Sequence, residues 1–127
     1  MEACVRILNI LVVDDSEEQA EILQMLLKSD GHEVTICFGG QEACSLVNQN
    51  RYDMVFTDIS MPEVNGIQVM KHVKEHSPQT EIIPITAFGD WGVYAESIQL
   101  GAKAFINKPY NVEDIQKIVN RIAAVSS

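Results

Sequence analysis

Cysteine is scarce in this chain, and no two cysteines are spaced for a task. Cys4, Cys37 and Cys44 are odd in number and form no Cys-x-x-Cys. That argues against a disulfide framework and against a thiolate zinc site. Small, buried, reduced thiols are the expectation instead. Long apolar runs are missing too. None approaches the ~20 residues that a membrane-spanning helix needs. The N-terminus holds Glu2 and a single early base, Arg6, with no signal-peptide layout. The default compartment is therefore the cytoplasm. Basic residues are few: nine Lys and Arg stand against 18 Asp and Glu, for a net charge of −9. The domain by itself is a poor partner for nucleic acid or an anionic membrane. Linkers, residue-level repeats and low-complexity segments are absent as well.

What is present suits one globular domain. At 127 residues, 46% of them hydrophobic, the chain is long enough for a real core. Residues 1–127 read as a single domain with its core at about 7–124 and frayed ends on either side. Ile10 to Val13 form a short apolar run that meets two adjacent acids, Asp14 and Asp15. Such a run is consistent with a strand buried on both faces. Two carboxylates held together at its end repel unless a positive charge lies between them.

The rest of the chain alternates in the same way. Ser16 and Gln19 spell a capping box, and a helix follows with Ile22, Leu23, Leu26 and Leu27 on its apolar face until Asp30-Gly31. Val34 to Phe38 is a second strand, and Gln41 to Asn48 a second helix with Ala43, Leu46 and Val47 inward. Tyr52 to Thr57 is a third strand closed by Asp58. Met61-Pro62 and Asn65-Gly66 mark the next loop. A third helix carries Ile67, Met70 and Val73 and stops at Ser77-Pro78. Glu81 to Ile85 is a fourth strand ending at Thr86, with Pro84 inside it. A proline there removes one ladder hydrogen bond, so a bulge or a missing pair is expected. The fourth helix is weakened by Gly89 and Gly92, with Val93, Ala95 and Ile98 as its inner face. Ala104 to Asn107 is a fifth strand closed by Lys108-Pro109. A last helix carries Val112, Ile115, Ile118, Val119 and Ile122. Strict alternation implies a parallel sheet covered by helices on both faces.

In such a sheet, ligands sit at the C-terminal strand ends. Asp14, Asp15, Asp58, Thr86 and Lys108 all fall there. Three carboxylates, a hydroxyl and an amine at one rim suit Mg²⁺ or Mn²⁺, which take oxygen ligands. Asp15 and Asp58 are placed to ligate directly, Asp14 partly through water, and the backbone carbonyl of Ser60 to add another oxygen. A carboxylate is also a nucleophile that forms an aspartyl phosphate. Asp58 alone has the central position for it. Lys108 and the metal would neutralise charge, and Thr86 would donate its hydroxyl. Pro109 fixes the chain after Lys108. A cis bond there is permitted and would aim the amine into the site.

Five segments in this order resemble the receiver domain of two-component response regulators. They are Ile-Leu-Val-Val-Asp-Asp-Ser (10 to 16), Asp-Ile-Ser-Met-Pro-Glu-Val-Asn-Gly (58 to 66), Thr-Ala-Phe-Gly-Asp (86 to 90), Leu-Gly-Ala (100 to 102) and Phe-Ile-Asn-Lys-Pro-Tyr (105 to 110). The resemblance implies a flavodoxin-like (βα)5 three-layer sandwich with strand order 2-1-3-4-5. It implies Mg²⁺-dependent transfer of a phosphoryl group to Asp58 from a phosphohistidine on a sensor histidine kinase or histidine phosphotransfer protein. It implies a switch in which Thr86 is drawn to the phosphoryl group and Phe105 swings inward behind it. The readout would be the face of the fourth helix, fifth strand and fifth helix, seen by an output domain or a downstream protein. A phosphorylation-dependent dimer is a further expectation. On this reading the chain is a signalling switch, not a metabolic enzyme.

Some residues keep a second reading. Phe105 suits a plain core position as well as a switch. Trp91, Tyr94 and Tyr110 suit helix packing as well as a partner surface. Phe88, at the mouth of the site, is expected to restrict the attacking water and slow dephosphorylation. An aspartate-nucleophile phosphatase would carry Asp-x-Asp after the first strand, and these acids are adjacent. A flavin binder would carry a hydroxyl- and glycine-rich loop there. A phosphate-independent interaction module of the same shape remains the alternative.

Overall fold

The computed structural model of the chain describes residues 7–59, 65–87, 91–108 and 110–124. Its elements alternate from end to end: β1 (Asn9–Val13), α1 (Glu17–Ser29), β2 (Glu33–Cys37), α2 (Gly40–Gln49), β3 (Met54–Asp58), α3 (Gly66–His76), β4 (Glu81–Ala87), α4 (Trp91–Gln99), β5 (Ile106–Lys108) and α5 (Val112–Ala123). The strands form one parallel sheet in the order β2-β1-β3-β4-β5. This is the expected flavodoxin-like α/β architecture.

The period of two along each strand divides the core into two layers. Leu11 and Val13 of β1, with Val55 and Ile82, pack against Ala43 and Val47 of α2 and Ile67, Met70 and Val73 of α3. Ile10 and Val12, with Met54, Phe56, Ile83 and Ile85, pack against Leu23 and Leu27 of α1 and Ile115 and Val119 of α5. Strands clad on both sides must be apolar at every position, and Ile10 to Val13 are all fully buried. Each such aliphatic side chain contributes roughly 1.5–3 kcal/mol by leaving water.

Helix ends follow local chemistry. Gly31 and Gly101 take φ near +93° and +96° beyond the ends of α1 and α4, a conformation that glycine adopts without a steric penalty. At α3 a full capping box forms. Gln68 N donates to Asn65 Oδ1 at 3.1 Å, and Asn65 N donates to Gln68 Oε1 at 2.9 Å. Asn65→Ala is expected to lower stability by about 1 kcal/mol, read as a shift in the urea midpoint. The box expected at Ser16 is built differently. Ser16 Oγ accepts from Gln19 N at 3.3 Å, but Ser16 N donates to Asp14 Oδ1 at 2.9 Å, so Asp14 fills the place proposed for the Gln19 side chain.

Three expectations need correction, and a fourth holds only in part. Pro84 makes no bulge: Phe56, Thr57 and Asp58 stay in register with Ile83, Pro84 and Ile85. Glu81 and Ile85 bond toward β3, so alternate residue 84 faces β5, whose pairing starts only at Ile85. Residue 84 has no partner in that ladder, so of the two expectations the missing pair holds, on the β5 side. β5 itself is shorter than expected, and Phe105 stands one residue before it. Ile22 is exposed, because the buried stripe of α1 is Ala20, Leu23 and Leu27. On α4, Ala95 and Ile98 face solvent, and Ser97 is fully buried instead. Among the described residues the Ser97 hydroxyl has no hydrogen-bond partner. A polar residue at the inward position misdirects the apolar pattern. The side chain of Val93 lies outside the described residues, as do residues 1–6, with Cys4, and Met61-Pro62. No helix of the described residues is long and apolar enough to cross a membrane.

Candidate functional site

The sheet register brings the predicted residues to one rim. Val13 of β1 is paired with Thr57 of β3, so Asp14 and Asp58, each one residue further on, are cross-strand neighbours. Asp58 is paired with Ile85, which precedes Thr86. Lys108 ends β5, paired with Ala87. Thr86 and Asp58 are both buried, at 5% and 6% exposure. Asp14 is fully buried, and Asp15 stands in solvent.

Lys108 ties the acids together. Its Nζ lies 2.9 Å from Asp58 Oδ2 and 3.2 Å from Asp14 Oδ2. Asp14 is held on both sides, because its Oδ1 accepts from Ser16 N at 2.9 Å and its Oδ2 from the Tyr110 hydroxyl at 3.3 Å. Tyr110, which suits a partner surface or helix packing by its sequence, sends its hydroxyl to the acidic rim. Asp14, Asp15 and Asp58 each bring one oxygen within 4.8 Å of the others. Three carboxylates against one ammonium leave a surplus of two negative charges, which a divalent cation would cancel. A hard oxygen set of this kind fits Mg²⁺. The Ser60 carbonyl, Phe88, Pro109 and the Trp91 side chain lie outside the described residues.

Gly66, which by sequence marks only a loop, is a positioning residue. A Cβ on it would sit 2.3 Å from the Asp58 carbonyl oxygen and 2.6 Å from Ile59 Cα. Its own N–H donates to the Ile59 carbonyl at 3.1 Å. The first turn of α3 therefore lies against the backbone of the central acid, and only glycine allows that approach.

Two of the aromatics named for the expected readout face are in contact. Tyr94 of α4 packs edge-on against Phe105, with ring centroids 4.8 Å apart and planes at 71°. The Tyr94 hydroxyl donates to Asn107 Oδ1. Both rings are half-buried, so Phe105 is neither a sealed core residue nor a free one.

Burial and charge shift the titration of the rim. Burial works against the Lys108 ammonium, but its hydrogen bond to Asp58 and the charges of Asp58 and Asp14 prevail, holding its pKa above the ordinary 10.5. Burial, then the charge and hydrogen bond of Asp14, raise the Tyr110 phenol above its ordinary 10.0. Away from the rim, burial and the charge of Glu42 push the Cys37 thiol up to about 12. All three groups keep their protons longer when folded than when unfolded. Their contribution is complete below the unfolded values and is lost as pH rises through the folded ones. The unfolding free energy should therefore decline above about pH 9, as urea titrations from neutral to alkaline pH would read. Tyr110→Phe should make the decline shallower from about pH 10.

Comparison with known proteins shows what the chain as a whole is similar to. The family model for the response regulator receiver domain matches residues 10–120. The transcriptional regulatory protein ZraR of Salmonella typhimurium is 32% identical over 117 residues, 92% of this chain and 26% of that protein. The transcriptional regulatory protein SrrA of Staphylococcus aureus is 36% identical over 107 residues, 84% of this chain and 44% of that protein. The chain thus spans less than half the length of these relatives. Among solved structures, the chemotaxis protein CheY4 of Vibrio cholerae superposes with a TM-score of 0.84 at 28% identity, covering 92% of this chain and 99% of that one. The receiver domain of the Francisella response regulator 1452 gives 0.83 at 27% identity, with 91% and 96% covered.

Proposed function

Because this chain belongs to the response regulator receiver domain family of two-component signal transduction, we propose that it is a phosphoacceptor switch with Asp58 as the acceptor. A carboxylate oxygen of Asp58 attacks the phosphorus of a phosphohistidine on a sensor histidine kinase or histidine phosphotransfer protein. The O–P bond forms as the P–N bond breaks, and the electron pair leaves with the imidazole, which takes up a proton. The observation that carries the reading is the Lys108 ammonium 2.9 Å from Asp58, beside two further acids at the same rim.

Asp14, Asp15 and Asp58 would hold Mg²⁺, with Ser60 adding its carbonyl. The ion supplies charge neutralisation for the transferring phosphoryl oxygens. Lys108 orients the Asp58 carboxylate and then meets a phosphoryl oxygen. Thr86, buried beside Asp58 on the next strand, donates its hydroxyl to another. Moving Thr86 opens space behind it, and the half-buried Phe105 with Tyr94 is the packing that responds. The face of α4, β5 and α5 then reports to an output domain or a partner. The chemistry is confined to the domain's own phosphorylation and hydrolysis.

The test is intact mass after incubation with acetyl phosphate or phosphoramidate, with and without Mg²⁺. A metal-dependent phosphoryl adduct, lost in Asp58→Asn, is expected. Steady turnover of phosphate esters would instead indicate a hydrolase. Absence of any adduct would leave a phosphate-independent interaction module.

A further inference from the structure

α3 carries a second set of donors, away from the acidic rim. The helix starts at the rim with Gly66 and runs back along the sheet, so residues 72 to 76 lie roughly 9–15 Å further along its axis. His72 and His76 are one turn apart and share a face. Their rings stack with centroids 4.0 Å apart and planes at 18°. His72 is half-buried and His76 exposed.

Their hydrogen bonds assign the protons. His72 Nε2 lies 2.8 Å from Asn48 Oδ1, and His76 Nδ1 lies 3.0 Å from the backbone oxygen of His72. Both partners are oxygens with no proton to give, so each contacting nitrogen is the donor. In the neutral rings the lone pairs are then on His72 Nδ1 and His76 Nε2. For His72, one nitrogen held by an oxygen with the other left open is the way metal-binding histidines are oriented. Two histidines at this helical spacing are also the pair used in helical zinc sites.

We propose that His72 and His76 form a two-imidazole site for a divalent transition ion of the Ni²⁺ or Zn²⁺ kind. Asn48 of α2 holds the His72 ring. Rotation of the exposed His76 ring about its broad χ2 torsion, which gives up its bond to the His72 backbone oxygen, brings the two lone pairs onto one ion. Water completes the coordination. Among the described residues no third His, Cys, Asp or Glu gathers with the pair, so the site binds an ion without the fuller ligand set of a hydrolytic centre, although Glu75 completes a His-x-x-Glu-His order. Imidazole selects against Mg²⁺, which prefers oxygen. The two ends of the domain thus sort ions by ligand softness.

The experiment titrates Ni²⁺ into the untagged chain under saturating Mg²⁺, followed by calorimetry and by paramagnetic broadening in two-dimensional NMR. A single Ni²⁺ is expected, with broadening centred on His72 and His76. Affinity should fall roughly tenfold or more in His72→Gln and in His76→Gln. Neither side chain is in the core, so both variants keep the native circular dichroism. Unchanged affinity in the double variant, broadening centred on Asp14 and Asp58, or no binding at all would each overturn the proposal.

Discussion

Gly66→Ala should lower stability by about 3 kcal/mol and slow phosphorylation of Asp58 as well. The added methyl meets the Asp58 carbonyl oxygen at 2.3 Å, Ile59 Cα at 2.6 Å and the Asp58 carbonyl carbon at 2.9 Å. All three are backbone atoms, so no side-chain rotation relieves the overlap. Either α3 lifts from the end of β3 or β3 shifts with its acid. The first breaks the Gly66–Ile59 hydrogen bond; the second moves the proposed acceptor relative to Lys108. Urea unfolding and the rate of adduct formation from acetyl phosphate read the two effects. Gly92→Ala is the control. It is exposed, nothing lies within 4 Å of its added methyl, and it sits in α4, so that change should raise stability by about 0.5 kcal/mol. Equal effects of the two substitutions would show that helix propensity, not the close approach, sets the response.

Lys108→Met should slow phosphoryl transfer by roughly 10²–10³-fold, the usual result of deleting one preorganised charge-stabilising donor. The same change removes the ammonium between two buried carboxylates. Without Mg²⁺, the variant should lose about 2 kcal/mol. That is less than the 3–5 kcal/mol typical of a broken buried pair, because the amine is about a third exposed. Mg²⁺ should restore part of the loss, since ion binding to the folded state adds stability by mass action. It should also raise the melting temperature of the variant more than that of the parent, because the amine no longer occupies the acids. A parent-like rate of adduct formation would remove Lys108 from the proposed chemistry. A parent-like Mg²⁺ response would remove the competition between amine and ion.

The sequence made the sheet legible because its strands are clad on both sides. Ile10 to Val13 cannot be anything else at that length once helices flank them. The rim was legible for a related reason: Asp14, Asp15, Asp58, Thr86 and Lys108 terminate strands, and a parallel sheet sends all strand ends to one side. What the sequence hid depends on contacts with other elements. Gly66 looks like any loop glycine until β3 lies against it. Tyr110 looks like a surface aromatic until its hydroxyl meets Asp14 across 96 positions of chain. Ser97 breaks the rule that apolar residues mark the inner face, and Ala95 and Ile98 were assigned to the core in its place. The two-histidine pair on α3 has a local spacing that can be seen in sequence, but the His72 tautomer depends on Asn48, which belongs to another helix.

Pro84 has a consequence for what can replace it. β5 pairs only with Ile85 to Ala87 of β4, and residue 84 is buried just before that ladder begins. A buried N–H left without a partner costs about 1–3 kcal/mol. Proline brings no such donor, so the pairing stops at Ile85 without stranding one. Pro84→Val would supply an N–H there, which must either extend the pairing toward β5 or go unsatisfied. A residue that reads as a flaw in a strand thus lets the sheet end its pairing where it does.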